Sequence, residues 1–124
     1  MKIFQLNYSD IKGGAARAAY RIHHALRSNG IDSQMLVNRA STGDWTVQGP
    51  TGKAAEAMVL IRPQLAKPLR TLLRTGNPIV HSPAIVPSTW PQRLNGSDAD
   101  VVHLHWVQGE MLSVEGIGRI RKPI

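Results

Sequence analysis

A chain of 124 residues, 42% of them hydrophobic, is long enough to bury one core and too short for two, so a single domain spanning 1–124 is predicted. The absence of cysteine excludes disulfides and thiolate metal centres and suits a reducing cytoplasm. Fifteen Lys and Arg against eight Asp and Glu leave a net charge of +7. That favours an anionic partner: a sugar nucleotide or other phosphate, an anionic membrane surface, or nucleic acid.

The N-terminus, "MKIFQLNYSD", turns polar within a few positions and lacks the apolar core of a secretory signal. Within it, "KIFQLN" (2–7) reads as a strand buried on both faces. Two glycines follow, and then residues 14–29 carry Ala15, Ala19, Ile22 and Leu26 at helical spacing, with Arg17, Arg21, His24 and Arg27 on other faces. Gly30 is placed to stop that helix, and "IDSQMLVN" (31–38) reads as a second strand. The first third of the chain is therefore β-α-β, which implies parallel strands joined by a right-handed crossover.

"WTVQ" is a weaker strand candidate. Residues 53–74 read as a basic, amphipathic helix that Pro63 and Pro68 must kink or divide. The best apolar run there, "AMVLI", falls far short of the ~20 residues that span a bilayer. Four prolines make 76–92 an ordered apolar loop, since Ile79, Val80, Ile85, Val86 and Trp90 are too hydrophobic for a linker. "DADVVHLHWV" (98–107) has the near-continuous apolar character of a central parallel strand. A short helix over 113–120 and the start of another strand at "RKPI" complete the chain.

In an open parallel sheet, ligands gather where loops leave the carboxyl ends of strands. The turn 8–14 and the end of the last strand, His103 to Trp106, fall on that edge. Gly13 and Gly14 expose N–H groups at a helix N-terminus, and Arg17 stands one turn further in, so a phosphate could be held there. The alternative use of the same residues is a tight helix-start turn with close alanine packing. No G-x-G-x-x-G and no Walker-type G-K-[ST] occurs.

His103 and His105 project from one face of a strand, but a metal site needs a third ligand, and no metal is expected. One of the pair is expected to pack in the sheet and the other to reach a cleft rim. His23 and His24 are expected to be solvated. For the basic helix, an anionic membrane interface competes with a plainer reading in which the leucines are core and the arginines a solvated face. The plainer reading is preferred. Nucleic acid is disfavoured because no recognisable module is present and aromatic residues are few.

Taken together, "SDIKGGAARAAYRIHHAL", "DSQMLVN", "HSPAIVPSTWPQRLN" and "DADVVHLHWVQGEMLSVEGIGRIRKPI" resemble the N-terminal domain of bacterial family 4 glycosyltransferases of the GT-B fold. The enzymes it resembles are those of colanic acid and other surface polysaccharide synthesis. The resemblance implies an α/β fold, a Rossmann-like parallel sheet flanked by helices and incomplete, forming the acceptor side of an interdomain cleft. It implies a sugar-nucleotide donor, a glycan or lipid-linked acceptor, no metal and no other cofactor. Under it Gly13 and Gly14 face the donor diphosphate, and His103, His105 and Trp106 become acceptor or cleft residues; Arg17 is added from position and charge. The family's Thr-x-His-Asp-like segment and donor-binding domain lie beyond "KPI", so an inactive truncated form is expected, cytoplasmic or peripheral to the inner face of the membrane. A cleft surface without its partner domain would favour self-association. The competing expectation is a non-catalytic Rossmann-like binding or assembly domain for anionic ligands or a membrane surface.

Overall fold

The computed structural model describes residues 1–72 and 83–124. Among the described residues, four strands, β1 (Lys2–Ser9), β2 (Asp32–Arg39), β3 (Val47–Gln48) and β4 (Val101–Leu104), form one sheet in the order β3-β2-β1-β4. Every pairing is parallel. The helices are α1 (Gly14–Ser28), α2 (Lys53–Leu65), α3 (Lys67–Leu72), α4 (Trp90–Asn95) and α5 (Val114–Gly118). This is the α/β, Rossmann-like parallel arrangement expected.

The two faces of the sheet separate by strand alternation. Phe4, Leu6, Leu36 and Val102 point to one side and pack with Leu94 of α4, Met111 and Leu112, with Ile117 of α5 against them. Met35, Val37 and Val47 point to the other and pack with Ala19 of α1. Alanine at this contact lets the helix backbone approach the sheet closely.

The buried face of α1 is not the one the apolar spacing suggests. Ala16, Ala19 and His23 are buried, whereas Ala15 and Ile22 are exposed. The helix is rolled because His23, fully enclosed, finds a hydroxyl for each ring nitrogen: Nδ1 lies 2.9 Å from Ser33 Oγ and Nε2 2.7 Å from Thr46 Oγ1. The expectation of a solvated His23 is therefore overturned. Pairing both ring nitrogens with hydroxyls offsets the cost of taking the imidazole out of water. The end of α1 does follow expectation: Gly30 has φ +78°, its N–H bonds Arg27 O, and Ile31 N–H bonds Leu26 O. That pair of bonds is a Schellman motif.

Of three further elements, the first divides as its prolines predict and the other two depart from the sequence reading. The predicted helix over 53–74 divides at the buried Ala66, leaving Pro63 inside α2 and Pro68 in the first turn of α3, where its missing N–H costs nothing; residues 73 and 74 lie outside the described residues. Part of the predicted loop is α4, whose Pro91 likewise occupies the first turn, and Thr89 O accepts from Arg93 N–H. The predicted strand 98–107 shortens to β4 and lies beside β1 at the sheet margin rather than at its centre. Asp98 is occupied with Lys2 Nζ at 2.8 Å, and the Asp100 carboxylate accepts from Lys2 N–H at 2.7 Å. On the outer side of β4, Val102 N–H bonds Pro123 O at 2.9 Å, so "KPI" runs along that edge.

Candidate functional site

The carboxyl ends of β1 and β4 meet through side chains. Asn7, almost fully buried, accepts from Trp106 N–H through Oδ1 at 2.8 Å and donates to Ser9 O. Tyr8 N–H bonds Trp106 O at 2.8 Å, and His105 N–H bonds Leu6 O at 3.0 Å. Regular pairing thus gives way to a side-chain bridge that holds the chain at Trp106 against the start of the glycine turn.

Between them opens a hollow of about 300 Å³ lined by Asn7, Tyr8, Ser9, Lys12, Gly13, Gly14 and Trp106, among others. Gly13 has φ +97° and open space where a Cβ would stand. Gly13 at the N-cap has no side chain with which to cap α1, and the first turn of the helix holds no acidic residue. The first N–H groups of a helix have no intrahelical acceptor, so Gly14, Ala15 and Ala16 present donors at the positive end of the helix dipole. Ser9 Oγ accepts from Lys12 N–H at 3.2 Å and shapes the turn.

Asp10 anchors this turn from below. It is fully buried, and its Oδ2 accepts from Ser41 N–H at 2.6 Å, Thr42 N–H at 2.7 Å and Thr42 Oγ1 at 2.9 Å. Burial pushes its carboxyl up, but those three donors outweigh it and hold the group below the usual carboxylate range. The loop after β2 is thereby tied to the end of β1.

Of the residues singled out in the sequence, Gly13, Gly14 and Trp106 come together here. Arg17 does not line the hollow: its side chain is exposed on α1, and its N–H bonds Gly13 O. His103, in register with Gln5, and His105, two residues on, lie on the α1 side of the sheet and are not among the residues that line the hollow. His105 is half-buried and its Nε2 is 2.6 Å from Gln5 Oε1; its ring centroid is 4.2 Å from that of the exposed His103. Burial, with His103 beside it, lowers the His105 pKa to about 4. Ser9 and Lys12 fall within the turn 8–14 that the sequence places on the ligand edge, whereas nothing in the local spacing marks Asn7, whose role depends on Trp106 arriving from the far end of the chain.

A second polar cluster surrounds His23. His24 Nε2 and Tyr20 Oη both lie 3.0 Å from Asp44 Oδ2, and Asp44 Oδ1 accepts from Thr46 N–H and Thr46 Oγ1. His23, His24 and Asp44 bring ligand-type atoms within 4.8 Å of one another. Each of those residues is already engaged, and a cation would have to break the His23–Thr46 or Asp44–Thr46 bond. The cluster is a clamp between α1 and the β2–β3 connection.

Comparisons of the chain with protein-family models, with curated proteins and with solved structures find no match. The fold and the hollow define an α/β protein of Rossmann-like architecture with a candidate anion site at the carboxyl edge of its parallel sheet. The particular activity is a matter of the chemistry that edge can perform.

Proposed function

We propose that this chain is the acceptor-side domain of a sugar-nucleotide-dependent glycosyltransferase acting in surface polysaccharide synthesis. One observation carries the reading: an uncapped helix N-terminus, a glycine with open space in front of it, and Trp106 share one hollow at the sheet's carboxyl edge. Backbone N–H groups there suit the diphosphate of a donor, with the Lys12 ammonium beside them, and an indole face suits a sugar ring. The donor's base and the leaving diphosphate need a facing domain to orient them, so this domain supplies one wall of a cleft. No metal is required by that arrangement, because the helix end supplies the positive potential.

The test is an amide-resolved titration with uridine diphosphate. Saturable shifts at Gly13, Gly14 and Ala15, with Trp106 following, are expected. Shifts confined to α2 and α3 would defeat the reading.

A second reading, a binding or assembly domain that docks on an anionic membrane, has its own observation. α2 has no buried residue, and Met58, Leu60, Ile61 and Leu65 are 46%, 60%, 46% and 58% exposed. The expectation that these leucines are core is overturned, since among the described residues of 53–74 Ala66 alone is buried. Exposed apolar side chains beside Lys53 and Lys67 have the composition of an interfacial helix. Flotation with phosphatidylglycerol vesicles at low salt should carry the protein upward; protein left at the bottom, or sedimenting as a dimer, removes this reading.

A further inference from the structure

A second cavity, about 340 Å³, opens on the opposite face of the sheet from α1, between α2 and α4. Its walls are of two kinds. Met58 and Val59 of α2 and the Trp90 ring make an apolar side, while Asn38, Ser88 and Arg93 make a polar one. A neighbouring hollow shares Asn38, Pro50 and Val59, so the space continues past the end of β2.

Two guanidinium groups stand at this cavity in different states. Arg62 is pinned, its Nε donating to Glu110 O at 2.9 Å and its Nη2 to Val86 O at 2.7 Å. It contributes charge but has spent its best-placed donors. Arg93 lies 4.9 Å over the Trp90 ring and donates to Gln48 Oε1 at 3.3 Å, and its other N–H groups make no hydrogen bond among the described residues. Stacking holds the guanidinium plane while leaving its edge available for a planar oxyanion. Nearby, the Ser88 hydroxyl oxygen is buried and has no hydrogen-bond partner among the described residues. A buried hydroxyl without a partner is costly, and Ser88 is one of the residues that line this same cavity.

We propose that the α2–α4 cavity binds a small organic anion, its carboxylate or phosphate held by Arg93 and Ser88 and its apolar or aromatic body against Met58, Val59 and Trp90. The site is separate from the glycine-turn hollow and stands whether or not the transferase reading holds.

Titration of the 124-residue chain with phenyl phosphate, benzoate, inorganic phosphate and benzyl alcohol, followed by Trp90 indole and Ser88 amide resonances, tests it. Phenyl phosphate or benzoate should saturate these signals, and inorganic phosphate and benzyl alcohol should bind more weakly because each lacks one half of the ligand. Whichever of the first two binds tighter identifies the oxyanion. Arg93→Ala should weaken binding roughly tenfold or more. Arg93→Lys should fall between, and Ala55→Trp, at an alanine of α2 that lines the cavity, should abolish binding by filling the space. Uridine diphosphate shifts at Gly13 should survive all three. Unchanged binding in Arg93→Ala and Ala55→Trp, shifts only at the glycine turn, or no saturation by any probe at millimolar concentration would each overturn the proposal.

Discussion

His23 Nε2 and Thr46 Oγ1 stand 2.7 Å apart, joining the middle of α1 to the residue that precedes β3. Burial, reinforced by the neighbouring His24, lowers the His23 pKa from 6.5 to about 4, so the ring is neutral in the fold near neutral pH. The unfolded chain binds the proton first, so stability from this residue is full above 6.5 and is lost as pH falls toward about 4. A loss of about 3 kcal/mol over that window is expected from the size of the shift. Urea denaturation at stepped pH should show it, and His23→Gln should flatten the dependence.

Thr46→Val leaves His23 Nε2 buried without its hydroxyl and removes a donor to Asp44. The expected cost is about 1–3 kcal/mol. Asp44 should register the change as well. Burial raises its carboxyl, but the Thr46 hydroxyl and amide and the Tyr20 hydroxyl outweigh that and hold it at about 2. Carboxyl titration by NMR should move toward the ordinary value in the variant.

Gly13 and Gly14 predict opposite outcomes for the same substitution. Gly13 has φ +97°, so Gly13→Ala should cost about 1 kcal/mol from backbone strain, although nothing crowds the added methyl. Gly14 opens α1 without a positive φ and also faces open space. Gly14→Ala should leave stability unchanged or raise it by up to about 1 kcal/mol. Thermal unfolding of the pair separates the two effects.

Gly109 combines strain with a clash. It has φ +70°, and an added Cβ would lie 2.9 Å from Tyr8 Cε2. Gly109→Ala should cost about 2 kcal/mol or more and displace the Tyr8 ring, a wall of the glycine-turn hollow. Tyr8 ring resonances together with the denaturation midpoint measure both consequences.

Glu110 is buried in a left-handed conformation, φ +61°, and its carboxylate accepts from Ala84, Ile85 and Val86 N–H groups at 2.8–3.0 Å. Three amides on one carboxylate are charge-assisted bonds. Glu110→Gln keeps the shape and removes the charge, so a loss of about 1–3 kcal/mol is expected. Hydrogen exchange at those three amides should quicken ahead of the strands.

Local chemistry made the beginning of the fold legible. The apolar run of β1, the glycine turn, and Gly30 at the end of α1 are set by backbone sterics and short-range periodicity, and they sit as the residues suggest. The parallel β-α-β unit follows from the short crossover. Proline placement marked the division of the 53–74 helix but not α4, because Pro91 in a first turn looks the same in sequence as Pro91 in a loop. The choice of α1 face, with His23 in and Ile22 out, was invisible because Ser33 and Thr46 supply its partners from other elements. Nor did any pattern show that α2 exposes its apolar residues, since amphipathic spacing says which side chains cluster and not what covers them. The candidate site divides in the same way. Two glycines at a helix start are a local feature, readable from seven or eight residues of chain. The hollow they line exists because Asn7, 99 positions before Trp106, holds that residue's N–H, a contact that requires β4 to be paired beside β1.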